Sequence, residues 1–91
     1  MANIKLGTGY KIIETRYKRY LNHYHIPAPE CLVVPMKSYG ADLSCEVRWE
    51  DEHGVLHIKS PLLFSDDNLK PINPLIDSKL FEIWQHYYGQ N

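Results

Sequence analysis

Residues 43–59, reading LSCEVRWEDEHGVLHIK, constrain the fold of this chain more than any other stretch. Leu43, Cys45, Val47 and Trp49 alternate with Ser44, Glu46, Arg48 and Glu50, the period of two expected of a half-buried strand. Residues 51–54 form a turn signal in which Gly54 can take a positive φ at no steric cost. Beyond the turn, Leu56 and Ile58 alternate with His57 and Lys59. A hairpin closed by Glu50 and Val55 sets Trp49 against Leu56 and Val47 against Ile58 on one side. On the other side it sets Arg48 against His57 and Glu46 against Lys59. A one-residue slip would put Trp49 and Val47 in water, so the pattern specifies a register.

The 91 residues have room for one domain, 1–91, with residues 1–8 expected to be loosely ordered and 89–91 a tail. A domain of this size buries about 60–70% of its unfolded surface, enough for one modest core. An apolar content of 44% with 23% charged residues argues against disorder.

Residues 10–24 carry a helical pattern. Tyr10, Ile13, Tyr17, Tyr20, Leu21 and Tyr24 fall on one stripe, with Lys11, Thr15, Lys18 and Asn22 opposite. Arg16, Arg19 and His23 form a flanking row, and Pro27 and Pro29 end the helix. Residues 31–36 read as a short strand. Pro35 cannot donate to a ladder, so this strand is expected at an edge or bulged near its end. Leu62, Leu63 and Phe64 continue past Pro61 without an assignable conformation. A final helix starts with Asn73 as cap or, one turn later, with Asp77. Ile76, Leu80, Ile83, Trp84 and Tyr87 form its apolar stripe, and Gly89 stops it. The expected fold is α+β in the order α-β-β-β-α. Its sheet is a three-stranded antiparallel meander with both amphipathic helices packed on the face that carries Trp49 and Val47.

Charge is divided along the chain. Residues 1–25 hold five bases against Glu14, or +4, while residues 26–91 hold five bases against ten acids, or −5. A whole-protein electrostatic argument for nucleic acid therefore fails, but a local one survives on the first helix. There Lys11, Arg16, Lys18, Arg19 and His23 could meet phosphates, and tyrosines could stack on bases. Against this, the tyrosines follow the core period, and so few bases give weak, salt-sensitive binding.

The wet face of the hairpin pairs opposite charges, as ordinary cross-strand partners do. Glu46, Arg48, His57, Lys59 and, from the last helix, Tyr88 are its candidate partner-binding residues. Five histidines suggest metal only until their spacing is considered. His23 and His25, two apart on a helix, diverge by about 200°, and no close Cys or His pair completes a zinc pattern. Cys31 and Cys45 do not read as a disulfide, since Cys45 falls opposite Val34 or Pro35. No glycine-rich phosphate loop, nucleophile elbow or Cys-x-x-Cys motif is present.

These features give no reason to name a reaction, and no cofactor or metal is expected. With two reduced thiols, no export signal and no apolar span, the expected location is cytoplasmic. The functional expectation is a small protein-interaction module that pairs with itself as a homodimer. A weak nucleic-acid-binding domain using the first helix is the alternative.

Overall fold

The computed structural model describes residues 4–89, so the expectations for residues 1–3 and 90–91 lie outside it. In chain order the elements are β1 (Tyr10–Ile12), α1 (Tyr17–Tyr24), β2 (Leu32–Tyr39), β3 (Asp42–Glu50), β4 (Leu56–Ser65), β5 (Leu69–Pro71) and α2 (Ser78–Tyr87). One 3-10 turn at Glu14–Arg16 leads into α1, and another at Asp66–Asn68 links β4 to β5. The strands form one antiparallel sheet in the order β4-β3-β2-β1-β5. The α+β class holds. The expected three-stranded, α-β-β-β-α arrangement is corrected to five strands, with β1 and β5 added beside the meander.

β1 was hidden inside the helical stripe. Tyr10 and Ile12 are buried in the core cluster that contains Tyr20, while the Lys11 ammonium reaches Asp77 beside α2. Over three residues that is a strand's alternation, and α1 begins only at Tyr17. Gly9 admits this strand, because a Cβ there would stand 2.7 Å from Ile72 Cδ1 and 3.0 Å from Leu32 Cδ1. Pro71 masked β5. As the edge strand opposite β4, β5 can hold a proline without losing a needed ladder bond.

The helices lie on opposite faces of the sheet, not on one as expected. β2 shows this directly: Val33 packs in the cluster with Tyr20 of α1, whereas Leu32 and Val34 pack with Leu80 and Ile83 of α2. Residues 31–35 are buried without alternation, as in a strand covered on both faces. That unbroken apolar run was visible in the sequence and was the available signal. β2 is central and bulged, since Pro35 pairs with Cys45 and Lys37 with Ser44, leaving Met36 extra.

The β3–β4 hairpin is shifted by one residue from the expected register. Asp51 N–H donates to Val55 C=O, Gly54 N–H donates to Asp51 C=O, and Gly54 has φ +78°. This is a three-residue loop whose left-handed glycine adds a bulge, one residue shorter than the loop read from the sequence. The Asp51 carboxylate fastens it by accepting the His53 and Val55 N–H groups. Glu50 therefore pairs with Leu56, Trp49 with His57, Arg48 with Ile58 and Val47 with Lys59. Trp49 and Val47 keep the α1 face, and it is Leu56 and Ile58 that move to the other side. A second irregularity sets two β4 residues, Ser60 and Pro61, against Glu46. Downstream of it Leu62 faces Cys45 and Phe64 faces Leu43, so the apolar residues return to the α1 core.

One polar side chain is buried among the described residues, Asn68. Its amide donates to the Tyr20 hydroxyl at 2.7 Å, its Oδ1 accepts from Arg16 Nε at 3.1 Å, and its carbonyl accepts from Ile13 N–H at 3.0 Å. Asn68 thus joins α1 to the β4–β5 junction. Of the two starts expected for the last helix, the structure has Asp77 as the cap residue. Its carboxylate binds the Asn73 N–H and Lys11, however, and not the helix N–H groups. Ile76 lies outside α2 and is exposed, so it does not belong to the helix's apolar stripe.

Candidate functional site

The two ends of the sheet differ. β5 is three residues long, whereas β4 runs for ten. Because Asp51 bonds Val55 across the hairpin, antiparallel alternation points the N–H and C=O groups of Leu56 and Ile58 away from β3. These residues also carry exposed side chains, 45% and 48% accessible, on the side of the sheet that α2 only partly covers. Leu63, on the same face, is 55% exposed. Next to Leu56 lies a shallow depression of about 260 Å³ bordered by Glu82, His86 and Tyr87 of α2. Apolar side chains and unpaired backbone groups therefore coincide along one open edge.

The devices that usually blunt an edge leave one stretch of β4 uncovered. The Lys59 ammonium turns to the α1 face and donates to the Tyr24 carbonyl at 2.8 Å. His57, also on that face, stacks on Trp49 with ring centroids 5.2 Å apart and bonds the Asp51 carboxylate at 2.8 Å. This bond, followed by the Val55 N–H, holds Asp51 below the usual carboxylate value. Pro61 interrupts the edge, and the Tyr24 hydroxyl occupies the Leu63 carbonyl. The open portion is thus residues 56–60.

The five candidate partner-binding residues divide between the two faces. Glu46, Arg48 and Tyr88 come together on the α2 side. There the Tyr88 hydroxyl donates to Glu46 Oε1 at 2.6 Å and accepts from Arg48 Nε at 2.8 Å. The Arg48 guanidinium lies 4.0 Å from the centroid of the Tyr87 ring. Burial first, and then the bond to Glu46, pushes the Tyr88 hydroxyl up to about 12. These contacts tie the end of α2 to β3. His57 and Lys59 face the opposite way because of the register shift. Sequence reasoning missed Leu56 and Ile58, which it placed on the core side.

The basic residues also separate. Lys11 is on β1, paired at 2.7 Å with Asp77 in a largely buried ion pair. Lys18 is exposed on α1. Arg16, Arg19 and His23 line a cleft of about 580 Å³ whose lining also includes Asp42 and Asp67. The tyrosines serve packing: Tyr20 is buried against Phe64, and Tyr24 lies edge-on to the same ring. Tyr20 is therefore not free to stack on a base.

Cys31 and Cys45 are unbridged and buried, and burial pushes both thiols up to about 12, far from a reactive thiolate. Among the described residues no group of His, Cys, Asp and Glu is placed to hold a metal ion. No helix among them is long and apolar enough to cross a membrane.

The chain is thus an α+β domain with an antiparallel five-stranded sheet and one long open edge. Compared with known proteins, it matches no family model, no curated sequence and no solved structure.

Proposed function

We propose that this domain is a non-catalytic protein-interaction module that associates with itself through the β4 edge. The observation that carries the reading is the coincidence, at Leu56 and Ile58, of exposed apolar side chains with outward backbone groups. Edges of this kind template pairing with another chain, and a second copy is the partner always at hand. Burial pushes the Cys31 and Cys45 thiols up to about 12, which favours a reading that gives neither a nucleophilic role.

Light scattering across a concentration series tests the proposal. The wild-type chain is expected to pass from monomer to dimer as concentration rises. Ile58→Lys places a charge on the open edge, at a position already half exposed, and is expected to stay monomeric while keeping the wild-type circular dichroism spectrum. A wild-type chain that stays monomeric at its highest soluble concentration would sink the reading.

A further inference from the structure

From the self-association just proposed, we infer the geometry of the pair: β4 of each copy lies antiparallel to β4 of the other about a two-fold axis at His57. Two five-stranded sheets then become one of ten strands. The inference rests on the previous reading and adds a register to it.

Two observations limit the register and a third selects it. The first is which backbone groups are free. Leu56 and Ile58 point theirs outward, so they must supply the hydrogen-bonded pairs, and His57, whose groups face β3, must lie between them. The second is where the edge closes. Pro61 has no N–H to give, and the Leu63 carbonyl already holds the Tyr24 hydroxyl, so pairing is confined to residues 56–60. The third is the match of side chains. With the axis at His57, each Leu56 lies against the other copy's Ile58, and both hydrogen-bonded pairs are apolar. Moving the axis to Ile58 keeps a single apolar pair, Ile58 with its mate, and sets Leu56 against Ser60. Moving it to Leu56 sets Ile58 against Gly54, which turns away in the loop with φ +78°. The depression bordered by Glu82, His86 and Tyr87 adjoins Leu56, so the seam runs along the foot of α2.

Crosslinking reads the register directly. His57 and its symmetry mate form a non-hydrogen-bonded pair, with Cβ atoms about 4.5–5.5 Å apart, the closest approach across antiparallel strands. His57→Cys is therefore expected to give a disulfide-linked dimer under mild oxidation. Ile58→Cys alone is not, because its mate lies diagonally about 7–8 Å away. Mixing Leu56→Cys with Ile58→Cys is expected to link the two different chains, which checks the register without altering His57. Cys31 and Cys45 are buried and do not compete. A self-linked Ile58→Cys dimer would overturn this register. So would a wild-type dimer by light scattering in which neither His57→Cys nor the mixed pair crosslinks, and self-association would then stand through another surface. A wild-type chain that is monomeric throughout would remove both proposals together.

Discussion

Replacing Asn68 with leucine removes a buried amide while keeping its branched heavy-atom shape. Two partners are released. The Tyr20 hydroxyl, on a side chain only 5% exposed, loses the amide that donates to it at 2.7 Å. Arg16 loses its 3.1 Å bond to Oδ1 but lies partly in solvent and finds water. An orphaned buried hydroxyl costs about 1–3 kcal/mol and the solvent-exchangeable Arg16 bond about 0.5–1 kcal/mol, so Asn68→Leu is expected to lose about 2–3 kcal/mol. At about 4–8 °C per kcal/mol for a domain this size, Tm falls by about 10–20 °C. Tyr20→Phe alone strands the Asn68 amide and is also destabilising. The double variant Tyr20→Phe, Asn68→Leu leaves neither group unsatisfied and is expected to lose less than the two single losses together. Thermal and urea unfolding followed by circular dichroism give the full cycle. A loss below about 0.5 kcal/mol for Asn68→Leu, or strict additivity in the double variant, would refute the reasoning.

Two other expectations concern the α2 side. Burial by itself would raise the Asp77 carboxyl, but its bonds to Lys11 and the Asn73 N–H hold it below its ordinary value. A depressed carboxylate contributes stability that is present above its unfolded pKa of about 4 and is lost as pH falls through the lower folded value. Asp77→Asn should therefore flatten the loss of stability below about pH 4 in acid titrations followed by fluorescence. Tyr88→Phe removes the hydroxyl that bridges Glu46 and Arg48, and urea unfolding is expected to show a loss of about 1–2 kcal/mol.

What could be read from the sequence was the chemistry of each segment, and what could not was the count of residues in its turns. Leu43, Cys45, Val47 and Trp49 face the core as their alternation requires. The loop after Glu50 could hold three residues or four, and Gly54 is compatible with both. The difference moved Leu56 and Ile58 from the core side to the open edge. Repeated bulges at Met36 and at Ser60 and Pro61 then reset the pairing at points a periodic pattern cannot report. β1 was concealed because Tyr10 fits a helical stripe as well as a strand, and its strand partners, Val33 and Leu69–Pro71, lie far along the chain. Glu46, Arg48 and Tyr88, expected to meet a partner, instead bond one another and tie α2 to β3, a contact between distant segments that local patterning does not report. The edge itself became visible only once the register was known.

β1 sits between β2 and β5, and Tyr10 pairs with Val33 on one side and with Pro71 on the other. The β2–β3–β4 meander needs only near neighbours in sequence, but the β1–β5 seam joins strands separated by most of the chain, and such distant closures are slow to form. During synthesis the meander can therefore assemble while the β1–β5 seam is still incomplete, and its β4 edge is available from that moment. An opening of the finished molecule that spares the meander would begin at the same seam, so among hydrogen-bonded strand amides exchange is expected to be faster in β1 and β5 than in β2 and β3.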